Sequence, residues 1–188
     1  MLYTRVIDEN NRSYAYEHSQ SYELLFESVK KEKGIVLSFA DVAKDEYGKP
    51  FFPEYPHIFF SITHCRGLAC CIIDGSECGI DAEMICSPRD KVAKRVFSDS
   101  EFAEFEKRQG REREIFFTSI WTLKEAYSKA VGRGLAVIKN VSFYGNGGRI
   151  LSNFPDFGFR QYMSGEHIIS VCTRGNCPKS DLREYYPF

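Results

Sequence analysis

No stretch of this 188-residue chain approaches the ~20 consecutive apolar residues needed to cross a bilayer. The amino-terminal stretch MLYTRVIDENNR lacks the apolar segment of a signal peptide, so a cytoplasmic protein is expected. An excess of either charge is also missing. The 25 Lys and Arg against 26 Asp and Glu leave a formal net charge of -1, which argues against a general nucleic-acid or membrane binder. A local basic site for a small phosphorylated ligand stays open. The seven cysteines form no C-x-x-C pair, so a zinc site is not expected. They lie in or beside apolar runs such as ACCII and SVCTR, and reduced, buried thiols follow. Repeats and low-complexity linkers are absent too, which excludes a solenoid. What the chain does have is sixteen Phe and eleven Tyr with 27% charged residues, enough for one sizeable core or two small ones sharing an interface.

The periodicities mix helices and strands. Tyr22, Leu25, Phe26 and Val29 predict a helix over Ser19 to Lys33, with lysines at its negative end and Gly34 as its stop. Val42 to Tyr47 reads as a short strand and FFPEYP as an irregular loop. Ile58 to Ile73 reads as two strands joined around His64 to Gly67, followed by a strand at CGIDAEMI. Ser87-Pro88 predicts a helix to about Phe97, and Ser98 with Glu101 has capping-box spacing for the next. A long helix is expected from about Arg113 to Val131, then a hairpin around Asn146-Gly147-Gly148 and a final strand over Gly165 to Thr173. Without regular β-α-β alternation, the class is α+β and not a doubly wound sheet.

Several residues could carry chemistry. In GIDAEMI, alternation puts Ile80, Ala82 and Met84 on one strand face and Asp81 and Glu83 on the other. Two carboxylates so placed can converge on a hard cation such as magnesium, or can simply form a solvated acidic face. In WTLKEAYSKAVGRGL, Trp121, Glu125 and Lys129 stand four residues apart on one helix face, ahead of a glycine-rich exit. Glu125 and Lys129 could equally be a surface ion pair. Lys49 could decorate a Gly-Pro turn, and His64 could occupy a hairpin turn. Together these residues are the inventory of a magnesium-diphosphate site.

Their order and spacing resemble one family. GKP at 48–50, ITHC at 62–65, GIDAE at 79–83 and WTLKEAYSKAVGRGL at 121–135 are similar to the motifs of 4'-phosphopantetheinyl transferases of the surfactin-synthetase-activating type. The resemblance implies Mg2+-dependent transfer of 4'-phosphopantetheine from coenzyme A to a serine of an apo acyl or peptidyl carrier protein, releasing 3',5'-ADP. It implies that Asp81, Glu83 and Glu125 hold the metal, that Lys129 meets the diphosphate, and that Lys49, Thr63 and His64 contact coenzyme A. Glu125 is the candidate base for the serine hydroxyl, directly or through metal-bound water, and Trp121 is expected to brace the Glu125–Lys129 face. Lys124 also matches a motif position but points away from Glu125.

The fold implied is a monomer of two similar α+β subdomains related by a pseudo-two-fold, each a small antiparallel sheet packed with helices, with the site in the cleft between them. The subdomains are expected at 1–77 and 78–188. Departures from the motifs are Ala82 for Ile or Val, Thr63 and Cys65 for the two serines of the histidine motif, and no match for the arginine opening the first helix. That region reads EHSQSYELL around His18, with Arg12 as a possible substitute. Two rivals remain: a non-catalytic carrier-binding homologue, and a metal-dependent nucleotidyltransferase using Asp81 and Glu83. The latter is disfavoured because Gly75-Ser76 lies too close to Asp81.

Overall fold

The computed structural model describes residues 1–11, 13–178 and 180–188. Arg12 therefore lies outside the described residues.

The chain begins with strand β1 (Leu2–Val6) and helix α1 (Tyr14–Lys33). α1 starts five residues before the expected Ser19. It ends as expected, with Gly34 in the left-handed conformation at φ 71° and its N–H on the carbonyl of Lys30. The short strands β2 (Ala43–Lys44) and β3 (Pro50–Phe51) flank the Gly48-Lys49 turn, so only two residues of the expected 42–47 strand pair. Strands β4 (Phe59–Cys65) and β5 (Leu68–Asp74) form the expected hairpin, and β6 (Cys78–Met84) carries GIDAE.

Helices α2 (Asp90–Val96), α3 (Asp99–Glu106) and α4 (Gly110–Val131) follow. The Ser98–Glu101 capping box at the start of α3 is formed on both sides. The expected hairpin is present as β7 (Phe143–Asn146) and β8 (Arg149–Ser152). A second hairpin joins β9 (Phe157–Ser164) to β10 (His167–Arg174). β1 and β9 were not expected from the sequence.

The class is α+β, built on two small antiparallel sheets of one topology. In the first the order is β1-β5-β4, and in the second β6-β10-β9. Each is a strand, a helical segment and a hairpin, with the leading strand paired to the last. One apolar cluster lies under α1 and another under α4, and a third, including Leu68, Ile72, Ile80 and Ile169, joins the two sheets. The sheets meet where β4 lies against β6. Side chains bridge that seam: Ser61 Oγ accepts from the N–H of Ile80 at 3.2 Å, and Thr63 Oγ1 donates to Asp81 Oδ1 at 3.2 Å. The cysteines are free thiols, buried except for Cys86. Among the described residues no helix is long and apolar enough to cross a membrane.

Candidate functional site

The site begins with a glycine. A Cβ on Gly79 would stand 2.0 Å from the carbonyl oxygen of Ala126 and 2.4 Å from the N of Ala130. Only glycine lets the backbones of β6 and α4 touch here. Beyond that contact the strand alternates as expected. Ile80 and Ala82 are buried in the core between the sheets, and Asp81 and Glu83 are not part of it. On the helix, Trp121, Glu125 and Lys129 are the residues between Phe116 and Ala130 that escape full burial. The strand carboxylates and the helix stripe are thereby brought together.

Asp81 is 5% exposed. Its Oδ1 accepts from Lys129 Nζ at 2.7 Å and from Thr63 Oγ1 at 3.2 Å, while Oδ2 is buried without a partner. Burial, then the charge of Asp81, pushes the Glu83 carboxyl from its ordinary 4.5 to about 7. The same two causes push Glu125 to about 6, and Lys129 opposes both shifts. Glu83 and Glu125 each feel the charge of Asp81 more than the opposing charge of Lys129. Among the described residues no three carboxylate, imidazole or thiol groups are already gathered into a ligand set. The donors nonetheless fit a hard divalent cation: all are oxygens, and the orphaned Asp81 Oδ2 is a buried acceptor that needs a partner.

A cavity of about 330 Å³ collects Thr63, His64, Asp81, Glu83 and Lys129. A second, of about 300 Å³, lies on the other side of Lys129 and is lined by Glu125, Ser128, Gly132 and the Tyr47-Gly48-Lys49 loop. Most of the sequence-expected residues therefore border one cleft divided by Lys129. A separate cavity of about 400 Å³, between β9 and residues near the C-terminus, holds none of them.

Lys49 lines the cleft, but its ammonium donates to the carbonyl of Ala130 at 2.5 Å and is 3.4 Å from that of Cys78. Burial lowers its pKa. The lysine thus ties its loop to the last turn of α4, where carbonyls lack helical partners. Trp121 does not line either of the two cavities of the cleft, but it borders a third, of about 170 Å³, together with Glu83. It also lies in a neighbouring groove of about 660 Å³ with Val92, Val96, Lys91, Arg95 and Lys139. Lys124 is wholly buried, 2.9 Å from Glu101 Oε2 and donating to the carbonyl of Val141 at 2.5 Å. The motif lysine is a structural tie between α4, α3 and the segment before β7. Glu101 also accepts from the N–H groups of Ser98 and Phe143, so each of its oxygens is engaged.

Sequence reasoning marked the region around His18 but did not foresee the α1 wall of the cleft as a whole. Tyr14, His18 and Tyr22 line the cavity together with Lys44, and the His18 and His64 rings are 6.0 Å apart. Glu17 Oε2 is 3.4 Å from His64 Nδ1. Burial lowers the His64 pKa, against the opposing pull of Glu17. The available signal was the four-residue step from Tyr14 to His18 to Tyr22, one turn upstream of the apolar stripe.

Comparison with known proteins bears on the same region. The model of the 4'-phosphopantetheinyl transferase superfamily matches residues 77–172. The chain is similar to 4'-phosphopantetheinyl transferase Sfp of Bacillus subtilis (strain 168), 34% identical over 92 residues, covering 49% of this chain and 41% of that protein. It is also 34% identical over 94 residues to 4'-phosphopantetheinyl transferase gsp of Aneurinibacillus migulanus, covering 50% of this chain and 39% of that one. The matched segment thus spans about two fifths of those relatives' length. A holo-(acyl-carrier-protein) synthase of Bacillus anthracis str. Ames, in complex with CoA (3',5'-ADP), aligns with TM-score 0.48 at 20% identity. That alignment covers 54% of this chain and 97% of that one, and the fold assignment rests on the chain's own strand pairing.

Proposed function

This chain belongs to the 4'-phosphopantetheinyl transferase superfamily, and from that premise we propose that it transfers 4'-phosphopantetheine from coenzyme A to a serine of an apo acyl or peptidyl carrier protein. The observation that carries the reading is the placement of Asp81, Glu83, Glu125 and Lys129 along two adjoining cavities that share Lys129, with Asp81 Oδ2 buried and unpaired. Carboxylate oxygens are the ligands that Mg2+ takes, and bound magnesium supplies charge neutralisation on a diphosphate.

In this reading Asp81, Glu83 and Glu125 hold the ion. Lys129 stabilises the charge that builds on the departing phosphate oxygen. The serine oxygen forms a new bond to the phosphorus bearing the pantetheine arm, the bond from that phosphorus to the bridging oxygen breaks, and 3',5'-ADP leaves. Glu125 takes the serine proton. Thr63 and His64 orient the donor. The protein acts as a cytoplasmic monomer of two subdomains that divide near residue 77.

The carrier docks beside the site, over the stretch from Met84 to Phe105. Ile85 and Phe97 are core residues there, whereas Met84, Val92, Val96 and Phe102 are only partly buried. Val92 and Val96 share their groove with Trp121 and three cations, a surface matched to an amphipathic acidic helix. A panel of apo-carriers incubated with coenzyme A and magnesium tests the function by mass spectrometry. A gain of one phosphopantetheine on a carrier is expected, and Asp81→Ala or Glu125→Ala abolishes it while circular dichroism stays unchanged. Carrier binding without any mass gain refutes the transferase reading and leaves a carrier-binding homologue.

A further inference from the structure

Lys129 is expected to serve an anion, yet its ammonium is bonded to a carboxylate. We propose that Lys129 and a divalent cation compete for Asp81, so that the metal ion displaces the lysine and frees it for the donor's diphosphate. This rests on reading Asp81, Glu83 and Glu125 as the magnesium site.

Four observations support the exchange. First, Lys129 Nζ lies 2.7 Å from Asp81 Oδ1, and Thr63 Oγ1 occupies the same oxygen at 3.2 Å. The acceptor left over, Oδ2, belongs to the same carboxylate and is buried without a partner. A cation arriving at Oδ2 therefore meets an ammonium one carboxylate width away, and like charges at that separation repel strongly in a partly buried site.

Second, two other motif lysines are committed elsewhere. Lys49 donates to the carbonyl of Ala130, and Lys124 to that of Val141 and to Glu101. Among the described residues, Lys129 is the cation that makes an ion pair with Asp81.

Third, the two partners differ in freedom. The Asp81 side chain is 7% exposed and sits on a central strand position, whereas that of Lys129 is 32% exposed on a flexible four-carbon stem. The lysine can swing while the aspartate stays. Fourth, there is room for the swing. The cavity of about 300 Å³ borders Lys129 on the side of the glycine-rich helix exit.

Such an exchange makes metal and diphosphate binding reciprocal, since the ion that occupies Asp81 also delivers the lysine to the anion. The charge of Lys129 then reaches the donor only when the metal is seated.

Titration with Mn2+ in the absence of coenzyme A, read by the electron paramagnetic resonance signal of the free ion, tests the competition. Lys129→Met should bind Mn2+ about tenfold more tightly than wild type, because the competing charge is gone. Lys129→Gln, which keeps a polar head, should do the same, and Lys129→Arg should stay near wild type. In calorimetry, Mn2+ should tighten coenzyme A binding more in wild type than in Lys129→Met. Equal or weaker Mn2+ affinity in both neutral variants overturns the exchange while leaving the metal reading intact. No Mn2+ uptake by any of the proteins overturns the metal reading and the exchange together.

Discussion

Glu83 is a place where the fold works against its own stability at neutral pH, and replacing it measures by how much. Its carboxyl, ordinarily near 4.5, is pushed to about 7 by burial and by Asp81. A carboxyl whose folded pKa lies above its unfolded value contributes stability that is complete below about 4.5 and is lost as pH rises through about 7. At 1.36 kcal/mol per pKa unit the whole displacement corresponds to roughly 3 kcal/mol. Asp81, Lys129 and Glu125 share that field, so about 1–2 kcal/mol is assigned to Glu83 itself. Glutamine has the shape of the protonated acid and cannot ionise. In the presence of a chelator, Glu83→Gln should therefore be about 1–2 kcal/mol more stable than wild type at pH 8. The two proteins should converge to within about 0.5 kcal/mol near pH 5, where wild-type Glu83 is neutral. Urea unfolding at the two pH values gives both differences from the shift in midpoint. Magnesium should reverse the order at pH 8 by stabilising wild type preferentially. A variant that is no more stable than wild type at pH 8 under chelation would mean that Glu83 is solvated, and the crowded-carboxylate account of the site would fail.

Three further outcomes are expected. Lys49→Met should lower stability by about 1–2 kcal/mol through its lost carbonyl contacts, seen as a fall in Tm, and leave the preference for coenzyme A over 3'-dephospho-coenzyme A unchanged. A selective loss against coenzyme A would instead show that the ammonium meets the donor. Lys124→Met strands the buried Glu101 charge and should cost about 3–5 kcal/mol in chemical denaturation; adding Glu101→Gln should recover part of that loss. Val96→Glu or Arg95→Glu should raise KM for the carrier several-fold with coenzyme A binding intact, and equal effects on both substrates would remove the docking face.

Much of this arrangement was legible because its signals are local. The Arg66-Gly67 turn between β4 and β5, the Ser98 capping box and the apolar stripe of α4 each announce themselves within a few residues. β1 was not legible, because as an edge strand it fully buries only Leu2. β9 was hidden by polarity. Gln161 is 1% exposed, yet it is buried through hydrogen bonds to Ser119, Thr122 and Ser170, so apolar alternation fails where the strand is deepest. The face shared by Asp81 and Glu83 and the face shared by Glu125 and Lys129 could each be read from strand and helix periods, whereas the meeting of the two faces followed from the family resemblance. The inward turn of Lys49 could not, because its partners, Cys78 and Ala130, are 29 and 81 residues away. Tyr14 escaped because α1 begins a turn before the apolar stripe that signals it.

The contact at Gly79 has a consequence for how variants of this protein are interpreted. It acts as a spacer of zero thickness, setting how far the carboxylates of one element stand from the carboxylate and ammonium of another. A methyl group added there meets backbone on both sides, and backbone cannot rotate away as a side chain can. Gly79→Ala therefore has to part the strand from the helix, stretching the Asp81–Lys129 pair and the separation of Glu125 from the strand carboxylates with which it is proposed to hold the metal. Its phenotype would be loss of metal affinity, caused by a residue with no donor atom in its side chain. Surveys that rank positions by chemical function alone would overlook the residue that sets the scale of the site.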